Sequence, residues 1–199
     1  MDTAQPDVSL GDVLEELKAH GILLTTDPKL PSVCAMVAGE PVRGSWWAHP
    51  LSHAMFRVLT ELAAHPDVLV AKLVSGKDTF IHRSLWPALL AVGAAREKWQ
   101  MQGLDEKSRA TLAEVENSGE VQASGKSALH LERALLVHGE QVHTDTGSHA
   151  KILMSWRRWA KRTGVKSGEQ PVAEAKASLE KLAEYLNWSY GGRGRLPWR

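Results

Sequence analysis

The chain has 199 residues, 43% of them hydrophobic and 24% charged, a balance that excludes disorder throughout and suits one domain or two very small ones. A single cysteine, Cys34, excludes an internal disulfide, and no apolar run approaches the ~20 residues of a membrane-spanning helix. The net charge of +1 conceals sorting, because residues 1–42 sum to −5, 43–104 to +3, 105–150 to −4 and 151–199 to +7. Basic charge gathered at one end points to an anionic partner. The start MDTAQPDVSL lacks the basic and apolar stretches of a secretory signal, so a soluble cytoplasmic protein is expected.

In chain order, Ser9 with Asp12 resembles a capping box ahead of Leu10, Val13, Leu14 and Leu17, which predicts a helix ending at Gly21. Ile22 to Thr25 and Val33 to Val37 read as two short strands parted by a proline-containing turn. GEPVRGSWWAHP leads into a helix with Pro50 in its first turn and Met55, Phe56, Leu59, Leu62 and Ala63 on its buried face. VLVAKLV and TFIHRSL, separated by Ser75-Gly76-Lys77-Asp78, predict a hairpin over 68–83. A largely apolar helix should run from Trp86-Pro87 to just before Gly103, and another from the N-cap Asp105 to 118. A strand-like GEVQA, a helix from Lys126 to about His138, the stretch GEQVHTDTGSH and a basic helix over 149–162 follow. Val172, Ala175, Leu179, Leu182, Ala183 and Leu186 mark a C-terminal amphipathic helix.

These elements predict a helix-dominated α+β fold. Residues 1–104 form an α+β subdomain, 105–166 a second subdomain, 167–187 the amphipathic helix and 188–199 a flexible basic tail. The order helix, short strand, helix, hairpin over 105–149 resembles the winged-helix variant of the helix-turn-helix. That resemblance implies DNA binding, with Lys126 to His138 as the helix that enters the major groove. Its only polar candidates for bases are Lys126, Ser127, His130 and Arg133, beside Glu132.

Charge patterning singles out the basic helix, where Lys151, Arg157, Arg158, Lys161, Arg162 and Lys166 occur without an acidic residue. Ile152, Leu153, Trp156, Trp159 and Ala160 would share its buried face and leave the arginines on a cationic ridge suited to phosphate. Lys72, Lys77 and Arg83 of the hairpin supply a second cationic edge, expected on the same side, with the acidic segments elsewhere. Arg193 and Arg195, interleaved with glycine and aromatic residues, suit a strand of phosphates and stacked bases.

Two other classes compete with this reading. His138, His143 and His149, with Glu140 and Asp145, would make a metal-dependent or general-base enzyme if they converged. Trp46 and Trp47 in GSWWAHP would serve an adaptor that binds another protein. The phosphate loop, the GxGxxG fingerprint and the GxSxG elbow are absent from the sequence, so no cofactor is expected.

Overall fold

The computed structural model describes residues 8–143, 149–166 and 170–199, with Val142, His143, His149 and Ala150 placed by their backbone alone. The fold is α+β with helix predominating, built on two small antiparallel sheets. Helix α1, Leu10–His20, starts where expected: the Ser9 hydroxyl accepts the Asp12 amide, and the Asp12 carboxylate accepts the Ser9 amide. Strand β1, Ile22–Leu24, follows at once.

Val33–Ala38 is a helix, α2, where a strand was expected. The run is too short for periodicity to distinguish the two states. β1 pairs instead with the hairpin, so Val33, Cys34 and Val37 are free to coil and fill the space beside the next helix. That helix is α3, Ser52–Ala64, which buries Met55, Val58 and Leu62 but leaves Phe56 and Ala63, expected inside, exposed.

Strands β2, Val68–Val74, and β3, Lys77–His82, form the expected hairpin, and β3 lies between its partners in the order β1-β3-β2. Alternation divides this sheet between two cores. Leu23, Val68 and Phe80 face α1, α2 and α3. Ile22, Leu24, Leu69 and Ile81 face the rest of the molecule.

Helix α4, Trp86–Ala94, ends well short of the expected boundary, because Arg96 adopts φ 52° and a new turn, α5, Lys98–Met101, begins behind Glu97. Helix α6, Glu106–Ser118, is capped by Asp105. Strand β4, Glu120–Ala123, leads to helix α7, Gly125–Arg133, which stops before His138 as Leu135 turns to φ 52°. Strands β5, His138–His143, and β6, His149–Met154, complete a sheet ordered β4-β6-β5.

The expected basic helix over 149–162 is therefore half strand. Residues 151–154 pair on both sides, with β4 and with β5. Helix α8, Trp156–Thr163, begins only after Ser155, whose hydroxyl accepts the Arg158 amide. Ile152 and Leu153 thus belong to β6 and not to the buried face of the helix.

Helix α9, Val172–Tyr190, packs on α4, and the segment after it folds back instead of trailing free. The Asn187 side chain donates to the Gly194 carbonyl at 2.9 Å and accepts the Gly194 amide at 2.7 Å. The Ser75 amide donates to the Arg195 carbonyl at 2.7 Å, and Leu196 is buried. A Cβ at Gly192 or Gly194 would overlap Leu30, so glycine is what permits this close return.

One core joins both ends of the chain, from Ile22 to Leu196. At its centre Trp159 meets Trp86 edge-on at 5.2 Å and Trp156 at 5.6 Å. Among the described residues no helix is long and apolar enough to cross a membrane.

Candidate nucleic-acid interface

Helix α8 does turn Trp156, Trp159 and Ala160 inward and Arg157, Arg158, Lys161 and Arg162 outward. Half of that cationic face is already matched by carboxylate. Arg158 forks onto Glu120 with Nε at 2.9 Å and Nη2 at 3.0 Å, and Arg162 reaches Glu140 at 2.8 Å. Lys151, on β6, donates to both oxygens of the buried Glu132 at 2.8 and 2.6 Å. All three acids come from the segment 105–150, which was expected to present its carboxylates elsewhere.

The hairpin cations behave alike. Lys72 pairs with Asp78 at 2.7 Å, Lys77 with Asp27 at 2.8 Å and Arg83 with Asp67 at 2.8 Å. Lys77 opens β3 and Arg83 follows its end, a separation of about 20 Å along an extended strand. The Arg83–Asp67 pair is exposed on both sides and contributes about 0–1 kcal/mol to stability, whereas Lys72 and Asp27 are largely buried in theirs. All three pairs matter more to the surface, since each removes a cation from the expected ridge.

The second sheet also separates the two candidate helices. Glu120, His138, Glu140, Ile152 and Met154 alternate onto one face, and Val121, Gly139, Lys151 and Leu153 onto the other. Arg158 and Arg162 bind carboxylates of the first face, so α8 covers that side. Glu132 of α7 binds Lys151 and sits over Gly139, so α7 covers the opposite side. A single ridge through α7 and α8 does not form.

The outward face of α7, the hairpin turn and the C-terminal segment do meet. Lys126, His130 and Arg133 fall at i, i+4 and i+7 on α7, opposite its buried face of Ser127, Ala128, Leu131 and Glu132. The Arg133 side chain lies across the hairpin turn, its Nε 3.3 Å from where a Cβ on Gly76 would stand. The neighbouring Ser75 holds the C-terminal segment through both its amide and its hydroxyl, to which the Arg195 amide donates at 3.2 Å. Arg133, Arg193 and Arg195 are exposed, and none has an ion-pair partner among the described residues. On α8, Arg157 and Lys161 are likewise exposed and unpaired among the described residues, on the other side of the sheet. Sequence spacing identifies the face of α7 but not this junction, because Gly76, Arg133 and Arg195 are far apart along the chain.

The histidine cluster is only partly described. Asp145 and the side chains of His143 and His149 lie outside the described residues, although the backbone pairs His143 with His149 in register. Glu140 is engaged by Arg162. His138 is buried against Trp156 and Trp159, with ring centroids at 6.3 and 6.2 Å, and its Nδ1 has no hydrogen-bond partner among the described residues. Burial lowers its pKa to about 4, with Arg162 adding to the effect and Glu140 opposing it.

A histidine whose folded pKa lies below its unfolded value stabilises the fold above the unfolded pKa and loses that contribution as pH falls through the folded one. The wild-type protein should therefore lose about 2 kcal/mol of unfolding free energy between pH 7 and 4.5 that His138→Phe does not lose. Urea midpoints of both proteins at several pH values test this, and parallel curves would refute it. Among the described residues no three His, Cys, Asp or Glu are grouped to hold a metal ion.

Comparison of the chain with protein-family models, with curated proteins and with solved structures finds no match.

Proposed function

We propose that this protein binds nucleic acid, duplex DNA in particular, through the outward face of α7, the β2–β3 turn and the C-terminal segment. The observation that carries the reading is that the Arg133 side chain lies against Gly76 while the backbone of Arg195 is held by the adjacent Ser75. Three guanidinium groups, from a helix and from a strap hydrogen-bonded beside it, suit successive phosphates, and arginine can grip each one with two N–H donors. Lys126 and His130 extend the same face along α7.

The element order supports the winged-helix likeness. A helix, a strand, a second helix and a hairpin follow one another, and the first strand lies beside the last in the order β4-β6-β5. The likeness has a limit, since α7 is the one helix between β4 and β5 and is nine residues long. It therefore supports backbone contact better than a full reading of bases in the major groove.

The test is fluorescence anisotropy with a labelled duplex over a series of salt concentrations. Arg133→Ala, Arg193→Ala and Arg195→Ala combined should weaken binding and reduce the slope of log K against log salt by about 2.7, at about 0.9 per lost phosphate contact. Arg157→Ala with Lys161→Ala should change neither. Unchanged affinity and slope in the triple variant, or a slope carried by the α8 pair, would overturn the proposal.

A further inference from the structure

The nucleic-acid reading leaves the aromatic cluster on the N-terminal layer unused. Trp46 packs against the core of α1, α2 and α3 and is thereby fixed in place. Trp47 stacks on it with ring centroids 4.0 Å apart and planes 26° apart, yet remains 62% exposed. Phe56 of α3 stands 5.5 Å from Trp47 and is 46% exposed. Backbone order supports the arrangement: His49 Nδ1 accepts the Leu51 amide at 3.1 Å, which sets the chain's path from the Trp46–Ala48 turn into α3.

We infer that Trp47, backed by Trp46 and flanked by Phe56, is a stacking platform for the bases of single-stranded nucleic acid. The inference rests on the nucleic-acid reading and names the form of the ligand it takes at this second place. A base stacks on an exposed π-face whatever its identity, and its phosphate needs a cation within reach. Residues 41–60 contain Arg43, Arg57, His49 and His53 and are bordered by Glu40 and Glu61. Arg43, His53 and Arg57 are exposed. That charge favours a polyanion over a neutral or basic peptide, and the regular spacing of bases between phosphates suits the ring better than carboxylates do. Indoles fixed face to face also offer a flat, preordered surface, so little side-chain freedom is lost when a base lands on it.

The full chain is titrated into a labelled twelve-nucleotide deoxyadenosine strand and into an abasic strand of the same length. Trp47→Ala should weaken binding of the deoxyadenosine strand about tenfold and leave the abasic strand unchanged, and Trp47→Phe should recover most of the loss. Phe56→Ala should show a smaller loss of the same kind. An equal loss on both strands, no loss on either, or failure of the wild type to bind the deoxyadenosine strand at low salt would overturn the inference. So would binding of a proline-rich peptide that depends on Trp47 while the deoxyadenosine strand is indifferent to it. The arginine triple variant on duplex separates this inference from the reading beneath it. If the triple variant loses duplex binding and Trp47→Ala loses nothing, the platform fails and the reading stands. If the triple variant loses nothing and Trp47→Ala loses only base-dependent binding, the reverse holds.

Discussion

Replacement of Trp159 by alanine should lower the unfolding free energy by about 4 kcal/mol, the cost of deleting a large buried ring whose surroundings cannot fully collapse. Trp159 is 2% exposed and is held by Trp86, Trp156 and His138. For a domain of this size each kcal/mol moves the melting midpoint by about 2–4 °C, so a fall of roughly 10 °C is expected. Urea and thermal unfolding measure both quantities. A loss under about 1 kcal/mol would show that the tryptophan cluster is not what joins the two ends of the chain. Trp47→Ala is the natural control, since an exposed ring should cost little.

Gln100→Leu should cost about 2–3 kcal/mol, although the shapes are similar and the site is fully buried. The Gln100 amide nitrogen lies 3.4 Å from the Gly93 carbonyl, 3.2 Å from that of Ala134 and 3.5 Å from that of Leu135, while its oxygen accepts the Glu97 amide at 2.8 Å. Two N–H groups are shared among three carbonyls, and leucine supplies none. The Leu135 carbonyl also accepts the Trp156 indole N–H at 2.7 Å. Gln100→Leu and Trp156→Phe should therefore be non-additive by at least about 0.5 kcal/mol, because each removes a donor from the same oxygen. A double-mutant cycle in urea measures that term. Additive losses would mean that the carbonyl does not couple the two side chains. Gln100→Glu should be worse than Gln100→Leu, since it sets a carboxylate against carbonyl oxygens out of reach of water.

Elements bounded by turn chemistry were legible in the sequence. Ser9 with Asp12, the Ser75-Gly76 turn, Asp105 and Gly119 each fix a boundary by a local hydrogen bond or a positive φ. Val33 to Val37 was not legible, because five apolar residues in a row show no polar face and are too few to reveal a period, although only Val33, Cys34 and Val37 are buried. The boundary at Ser155 was hidden for a related reason: β6 and α8 form an apolar and basic string broken only by that serine, and what makes 151–154 a strand is pairing with two distant segments. Composition misleads at the C-terminal segment. Glycine and arginine read as solvated, but Asn187 and Ser75 supply the hydrogen bonds that fix its backbone.

The electrostatics were the least legible part. Cation spacing along α8 is a local property and was read correctly, whereas Glu120, Glu132 and Glu140 reach Arg158, Lys151 and Arg162 from other strands and helices. Net charge by segment cannot show such pairing, because it counts the acid and the base in different parts of the chain. The junction of Arg133 with the C-terminal strap was invisible for the same reason.

The docked C-terminal segment has a consequence for synthesis. Leu24, Leu69 and Ile81 belong to a core that also requires Leu179, Leu186 and Leu196. A ribosome delivers the first three long before the last, and contacts between such remote residues form slowly. Until α4, α8 and α9 are made, one face of the β1-β3-β2 sheet would lack its cover, whereas the residues that cover the other face, in α1, α2 and α3, lie close to it in sequence. A chain arrested near residue 190 would lack Leu196 and the glycine segment that closes over Leu30 and Val74, so that edge of the core would stay open to water.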